Sequence, residues 1–450
     1  MKLIKNALVS TGNGNDTKLV SILFNDKILE ISENPAFHKG VDIIDLQGKL
    51  LIPGCIDAHV HFNDPGFNHR EDFLSGTTAA AYGGITTIID MPCTSIPPVT
   101  NKANLHKKLK AIKSKALIDF ALWGGIRRND FPLDRKMILK LWNEGVIGFK
   151  LYTISGMETF EALSYNNIET VLSELPGLLL GIHAEDENII NNALKSLSKE
   201  ELKLPENCVK IRPVEAEVEA VKNILEVIKR DNKIHFVHIS SKRAAEMILT
   251  KKNFSDVTFE TCPHFLQFTS EDIPKLKGRI KTTPIVKFEE DKKFLCSCLK
   301  EGKVDFITTD HAGCDYKKEK EFEDFSKVYN GIPGIELMIP FLFSEFYLNE
   351  NVSLETMLKL TSENASKRFG LYPEKGSLKI ETDADFTVID IRKPFKVNEK
   401  KLHSLGKYSP FHEETFYCSV DKTIVRGEIV FDSISGIIQK PGYGKWIKRK

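Results

Sequence analysis

Two histidines, His59 and His61, follow an apolar run that leads into the segment Asp57-Ala58-His59-Val60-His61. Because alternate side chains of a β-strand point to the same side, the two imidazoles are expected to project together from one strand end. Two imidazoles placed in this way suit a shared metal ion. The spacing therefore predicts a metal site, although the same spacing also occurs in strands that only pack into a core.

Four further candidate ligands stand at the ends of later strand-like runs: Lys150, His183, His238 and Asp310. The carboxyl ends of the strands of a parallel barrel meet at one face, where catalytic groups gather. A single histidine in such a position is most often a hydrogen-bonded structural residue. Because all these residues fall at strand ends, we expect them to form one site with the first two histidines.

Lys150 needs altered chemistry to be a ligand, because a lysine with its ordinary pKa of about 10.4 is a cation. Reaction of the neutral amine with CO₂ gives a carbamate, an anion whose two oxygens can bridge divalent ions about 3.5–4 Å apart. Taken alone, Lys150 would be interpreted as a buried lysine in a salt bridge. The neighbouring histidines favour the carbamate.

Eight short apolar runs alternate with helix-like segments, which predicts an α/β fold, a TIM-type (β/α)8 barrel of parallel strands. The runs are residues 56–61, 86–91, 117–123, 146–151, 178–183, 234–239, 257–262 and 304–309. Helical periodicity is plainest over 214–225 and over 353–369, which ends at Gly370. The charged segment 313–331 follows the last run, so it is predicted to be either an active-site loop or a surface insertion.

Both ends of the chain carry strand patterns of a different kind, with short strands separated by polar turns. We predict that residues 1–52 and 384–450 together form a small β-sandwich domain. Residues 53–383 would then form the hydrolase barrel.

The balance of charge argues against several classes of partner. Lysine and arginine number 63 against 62 for aspartate and glutamate, so no basic surface for nucleic acid or an anionic membrane is expected. The N-terminus lacks the apolar core of a signal peptide, and no apolar run is long enough to span a bilayer. The sequence predicts a cytoplasmic protein with reduced cysteines that acts on a small substrate.

Several motifs resemble the cyclic-amide branch of the amidohydrolase superfamily, which contains dihydroorotases, allantoinases and hydantoinases. They are Pro53-Gly54-Cys55-Ile56-Asp57-Ala58-His59-Val60-His61, Gly83-Gly84-Ile85-Thr86-Thr87, Glu260-Thr261-Cys262-Pro263-His264 and Gly376-Ser377-Leu378 with Asp383-Ala384-Asp385. The resemblance implies two divalent metal ions, zinc first, with manganese or cobalt as alternatives. His59, His61, Lys150 and Asp310 would hold one ion, and Lys150, His183 and His238 the other. Asp310 would also carry the proton, and a homodimer or homotetramer is common in these families.

Three positions bear on the substrate. Dihydroorotases of this branch hold the substrate carboxylate with an arginine and two asparagines, and those positions are occupied here by Asn63, Cys93 and Thr283. Losing these charge-assisted contacts, worth about 1.5–3 kcal/mol each, disfavours dihydroorotate unless Lys287 or His311 compensates.

The motifs are nearer to those of allantoinases, as in His61-Phe62-Asn63-Asp64-Pro65-Gly66 and Asp310-His311-Ala312-Gly313-Cys314. The predicted reaction is therefore hydrolysis of allantoin to allantoate, with dihydroorotase and hydantoinase or dihydropyrimidinase as alternatives. The sequence departs from the usual allantoinase pattern at Arg70-Glu71-Asp72-Phe73, Ile285 and Lys287, and these positions flank the expected pocket. A remote alternative is a non-catalytic interaction protein of the dihydropyrimidinase-like kind, which would lack metal ligands.

The remaining polar residues singled out in the sequence are not predicted to bind metal. His264 and His311 are predicted either to contact substrate or to hydrogen-bond to residues that do. His235 lies three residues before His238, and we expect it to pack on the other face of the strand. His69 and Arg70 are predicted to lie on a loop surface.

Overall fold

Eight parallel strands form a closed barrel in the computed structural model, which describes residues 1–33 and 40–449. The barrel strands are Cys55–Val60, Ile85–Asp90, Asp119–Leu122, Phe149–Tyr152, Leu179–His183, Lys233–Phe236, Asp256–Thr261 and Phe306–Ile307. Each strand overlaps one of the eight predicted runs. The prediction of a TIM-type barrel is therefore confirmed.

Neighbouring barrel strands pair in parallel and in chain order. The two residues Gly124–Gly125, just after the third strand, continue the pairing to the fourth. The ring closes where Val60 bridges His311, and the His61 N–H donates to the His311 carbonyl over 2.8 Å. All strand carboxyl ends therefore open onto one face.

Helices surround the barrel and cover the outer faces of its strands. Ile138 and Leu141 of one helix belong to the same buried apolar cluster as Phe149 of the fourth strand. The α-helices in the described part of the chain are Phe73–Tyr82, Lys102–Ile112, Arg135–Glu144, Tyr165–Glu174, Glu187–Ser196, Cys208–Ile211, Val214–Val227, Lys242–Lys251, Pro263–Gln267, Ile273–Leu276, Glu289–Lys300, Tyr316–Glu319, Met338–Leu342, Leu354–Leu358 and Asn364–Arg368. None of the helices in the described ranges is both long and apolar enough to cross a membrane.

The predicted helix over 353–369 contains one widened turn that its sequence pattern did not indicate. A π-helical turn, Lys359–Glu363, separates Leu354–Leu358 from Asn364–Arg368. In and beside this turn, Ser362 donates to the Pro53 carbonyl over 3.2 Å and Asn364 donates to the Asp305 carbonyl over 2.7 Å. The turn thus anchors the helix to the strand that precedes the barrel and to the start of the eighth barrel strand.

Strands from both ends of the chain form a single sheet, as predicted for the small β domain. The sheet contains Lys2–Ser10, Thr17–Phe24, Ile28–Ser32, Asp42–Asp45, Leu50–Pro53, Phe386–Asp390, Ser419–Val425, Glu428–Asp432 and Gly436–Ile437. Antiparallel pairing of Leu50–Pro53 with Phe386–Asp390 joins the two halves. The domain boundaries 1–52 with 384–450 and 53–383 stay a prediction.

Gly54 lies where this sheet passes into the first barrel strand. A Cβ at this position would lie 2.2 Å from Thr86 Oγ1 and 2.8 Å from Asp385 Cβ. The Gly54 N–H donates to the Asp385 carbonyl over 2.9 Å. The close approach of two layers therefore requires glycine here.

Candidate functional site

His59, His61 and Asp310 meet at the carboxyl end of the barrel, where the first and eighth strands adjoin. Asp310 Oδ1 lies 3.3 Å from His59 Nε2 and 3.1 Å from His61 Nε2. Ligand atoms of all three residues lie within 4.8 Å of one another, which is close enough to share a metal ion. The structure thus brings together the strand pair and the distant aspartate that the sequence singled out.

Glu260 orients His59 from the seventh strand. Its Oε1 atom lies 2.5 Å from His59 Nδ1, while His59 Nε2 is buried and has no hydrogen-bond partner in the described structure. A carboxylate on one ring nitrogen fixes the tautomer and leaves the lone pair of the other nitrogen free for a metal. Burial and the charge of Lys150 lower the pKa of His59 to about 4, which keeps its ring neutral.

The charges differ at the other two members of this cluster. Burial alone would lower the pKa of His61, but Cys93 and Asp310 outweigh burial and raise it to about 10. Burial alone would raise the pKa of Asp310, but His59 and His61 bring it to about 2. Without metal the pair is an imidazolium and a carboxylate, so metal uptake must release the proton of His61.

His183 and His238 form a second pair beside the first. His183 Nδ1 lies 3.0 Å from His238 Nε2, and His183 Nε2 lies 3.0 Å from Glu185 Oε2. The Arg212 guanidinium also binds the Glu185 carboxylate. Burial lowers the pKa of both histidines, so neutral rings present converging nitrogen atoms.

Lys150, on the fourth barrel strand, is fully buried, and its charge lowers the pKa values of His59, His183 and His238. Its Nζ atom has no hydrogen-bond partner in the described residues and lies 5.0 Å from the centre of the Tyr152 ring. Burial lowers the pKa of Lys150 to about 8, which enlarges the neutral fraction that can react with CO₂. A buried polar group without a partner is costly, so the unpartnered amine of Lys150 is consistent with a functional role.

The backbone is strained at two of the candidate ligands. His238 has φ of 41° and Asp310 has φ of 49°, in the left-handed region that non-glycine residues rarely adopt. Strain of this kind costs about 1–3 kcal/mol and concentrates at functional sites. The strain therefore supports a functional role for both side chains.

The donor set fits divalent metal. Three buried atoms, His59 Nε2, Lys150 Nζ and His238 Nδ1, have no hydrogen-bond partner in the described structure. Imidazole and carboxylate ligands suit zinc, manganese or cobalt, and a carboxylated Lys150 would add an anionic ligand. His59, His61 and Asp310 are the members of this donor set whose ligand atoms already lie close enough together to share an ion.

A cavity of about 380 Å³ opens above these residues. His61, His183, His238 and Asp310 form part of its wall, and Asp310 is 13% exposed toward it. A volume of this size holds one small heterocycle with a substituent. The other lining residues include Phe67, Arg70, Thr94, Tyr152, Met157, Arg212, Thr283, Tyr329 and Asn330.

Of the predicted substrate residues, Thr283 lines the cavity, whereas Cys93, Asn63 and His264 lie outside its lining. Thr283 lines the cavity, and its buried Oγ1 has no partner in the described structure. Cys93 contacts the site from behind, with its sulfur 3.6 Å from His61 Nδ1 and 3.1 Å from the Tyr152 hydroxyl. Asn63 and His264 are buried beyond the cavity lining, and each has side-chain atoms without a partner among the described residues.

His311 has a different environment from the ligands. The N–H groups of Gly334 and Ile335 donate to its Nδ1 over 3.2 and 3.3 Å, so the proton is on Nε2, which lies 3.1 Å from Glu71. Both ring nitrogens are thereby engaged in holding loops at the barrel closure. Substrate contacts of Asn63, Cys93, His264 and His311 stay predictions.

Two residues of the site, Glu260 and Arg70, were not among the predicted site residues. Glu260 binds His59 and, over 3.0 Å, also His235. A charged residue inside an apolar strand was the available signal for Glu260.

Arg70 was predicted to lie on a loop surface, but it is partly buried and lines the cavity. Lys287 lies outside the cavity lining of the described structure and donates to the Arg212 carbonyl over 2.5 Å.

A closed barrel with histidines and an aspartate at its strand ends is the architecture of a metal-dependent hydrolase. The sequence matches the family described as "Amidohydrolase family" over residues 50–430. The chain belongs to this family and is a cyclic amidohydrolase.

Relatives with three different names resemble the chain. An allantoinase from Rubrobacter xylanophilus is 34% identical, with 86% of each chain covered. A dihydroorotase from Methanosarcina acetivorans is 33% identical over 95% of this chain and 91% of that protein. Among solved structures, an L-hydantoinase (dihydropyrimidinase) from Arthrobacter aurescens has a TM-score of 0.94 at 29% identity, covering 99% of each chain.

Proposed function

We propose that this protein hydrolyses the ring of allantoin to give allantoate. The observation that carries the proposal is the combination of a complete ligand set with neutral residues, Asn63, Cys93 and Thr283, at the positions expected for a carboxylate clamp. Several relatives at 31–34% identity bear the name allantoinase, which supports the same substrate.

Six residues would hold two divalent ions, of which zinc is our first choice. We assign His59, His61, Asp310 and Lys150 to one ion and His183, His238 and Lys150 to the other, with Lys150 as its carbamate. Bound metal would polarise the ring carbonyl and make water nucleophilic near neutral pH.

Asp310 is the group that moves the proton. Its lowered pKa keeps the carboxylate ionised at neutral pH, so it can accept a proton from the attacking water. It then delivers this proton to the ring nitrogen that leaves when the C–N bond breaks. We assign a hydrogen bond to the ring amide to the Thr283 hydroxyl, which lines the same cavity and has no partner in the described structure.

Dihydroorotate is the second candidate, because two arginines line the cavity and a carboxylate pairs well with a guanidinium. Both are already paired, Arg70 with Glu319 and Arg212 with Glu185. A substrate carboxylate would have to compete with these internal carboxylates, so we rank dihydroorotate below allantoin.

The test is a comparison of ring-opening rates on allantoin, dihydroorotate, hydantoin and dihydrouracil, with protein supplied with bicarbonate and zinc. We expect the highest kcat/KM on allantoin. A preference for dihydroorotate would show that Arg70 or Arg212 replaces the missing clamp. No turnover of any of these rings would overturn the proposal and favour the non-catalytic alternative.

We also propose that the protein works in the cytoplasm as a homodimer or homotetramer. Light scattering of the purified full chain gives its mass in solution, and a monomer would contradict this assignment.

A further inference from the structure

Arg70 stands in the loop that follows the first barrel strand, and it lines the cavity together with residues of the loop after the eighth strand. Its Nε and Nη2 atoms contact Glu319 Oε1 at 2.8 and 2.6 Å. Its guanidinium carbon also lies 4.3 Å from the centre of the Tyr329 ring, which lines the cavity too. The side chain is thus fixed by a carboxylate and an aromatic face.

The contacts with Glu319 engage only Nε and Nη2 of the guanidinium. Arginine carries five N–H donors, and in the described parts of the chain no hydrogen bond engages Nη1 of Arg70. Glu319, which is not among the cavity-lining residues within the described ranges, balances the positive charge. The cavity wall therefore offers hydrogen-bond donors with little net charge.

We propose that Arg70 determines substrate specificity by donating a hydrogen bond to the carbonyl oxygen of a neutral, ureido-type substituent on the substrate ring. The inference rests on the proposed function, because it assumes that the ring is opened beside Asp310 in the same cavity. A substituent with a carboxylate gains less here than at a free arginine, since Glu319 already supplies a negative charge.

Arg70→Met tests the role of the donor. The variant keeps an unbranched side chain but cannot donate, so we expect kcat/KM on allantoin to fall on the order of 10- to 100-fold. Hydantoin lacks the ureido substituent, and its kcat/KM should change less than about threefold, within the context-dependence of such contacts. If hydantoin is not turned over, its inhibition constant against allantoin is measured instead. The loss on allantoin should fall mainly on KM, because the contact is made before ring opening.

Arg279→Met is the matched control. Arg279 binds Glu399 at 3.0 and 2.8 Å and lies 4.7 Å from the centre of the Tyr316 ring, so it repeats the arrangement of Arg70 outside the cavity lining. We expect its substitution to leave the ratio of allantoin to hydantoin kcat/KM unchanged.

Glu319→Gln tests the charge balance. Removing the carboxylate leaves the Arg70 guanidinium unpaired, so dihydroorotate should become a stronger competitive inhibitor by about 10-fold. An unchanged inhibition constant would overturn the role assigned to Glu319.

The outcomes separate this inference from the proposed function. Equal losses on allantoin and hydantoin in Arg70→Met, or no loss on either, would overturn the specificity role while wild-type activity upholds the proposed reaction. A wild-type protein that is inactive on every ring would overturn the proposed function itself, and the inference with it.

Discussion

Asp310 is the carboxylate that contacts both histidines of the first strand. It reaches His59 and His61 from a residue held at φ of 49°, directly after the eighth strand. The lowered pKa keeps the side chain ionised, and the side chain lines the cavity. The same carboxylate can therefore bind metal and transfer a proton.

We predict that Asp310→Asn retains most of its metal while turnover falls about 10²- to 10⁴-fold, since the amide oxygen can still ligate but cannot accept a proton. Metal analysis and initial rates on allantoin check this. Asp315→Asn, in the exposed loop nearby, is the control and should keep full activity. Retained turnover in Asp310→Asn would reject the proton-transfer role.

We predict that Glu260→Gln weakens metal binding by about 10- to 100-fold, because His59 loses the charged partner that orients its ring. Competition with a chelator measures the affinity. Glu217→Gln is the control, as Glu217 is an equally buried carboxylate that binds Ser240 and Ser241 instead. Equal affinities for Glu260→Gln and wild type would contradict the orienting role.

The candidate ligands could be predicted from sequence because each stands at the end of a recognisable strand. Their supporting partners could not. Glu260 acts on His59 across 201 positions of the chain, and Arg70 meets Glu319 across 249. No local pattern encodes which distant side chains a closed barrel brings into contact.

At the scale of elements, a buried ionic cluster joins the terminal sheet to the barrel. Lys375 Nζ lies 2.6 Å from Asp119 at the start of the third strand, 2.9 Å from Asp383 and 2.7 Å from Asp385. These aspartates resemble a cation site by their spacing, but Lys375 already supplies the cation. The cluster is therefore structural.

We predict that Lys375→Met lowers the free energy of unfolding by about 3–5 kcal/mol, because buried Asp385 loses its cation partner. Asp119 and Asp383 keep Arg426 and Lys27 as counter-charges. Urea denaturation measures this. Lys2→Met removes a more exposed ion pair with Glu428 and should cost at most about 1 kcal/mol. Similar losses in both variants would contradict the account.

The contribution of Lys375 to stability should be lost at high pH. Burial lowers the pKa of Lys375, but Asp385 and Asp383 outweigh burial and raise it above 10.5. Its stabilisation is therefore fully present below pH 10.5 and is lost as the pH rises through the higher folded-state value.

Elements differed in how well the sequence predicted them. The barrel strands are short, buried on both faces and therefore nearly uniform in apolar character, which made them recognisable. The π-helical turn Lys359–Glu363 was missed, because it coincides with hydrogen bonds from Ser362 and Asn364 to segments far along the chain.

At the scale of the whole molecule, metal binding and stability should be coupled, since the six proposed ligands on five strands are drawn together only in the folded state. We predict that zinc raises the melting temperature of chelator-treated protein. Free zinc at 100 times its Kd would add about 2.7 kcal/mol for one site. Calcium, which prefers oxygen ligands, is the control. A melting temperature that zinc does not change would contradict a folded-state metal site.

The carbamate on Lys150 is the central claim, and one side-by-side measurement tests it most directly. Wild type and Lys150→Ala are both loaded with zinc and bicarbonate, and zinc per chain and allantoin turnover are determined. We predict two ions per chain and turnover for wild type, and loss of both for Lys150→Ala. A Lys150→Ala protein that keeps its ions and its activity would contradict the claim.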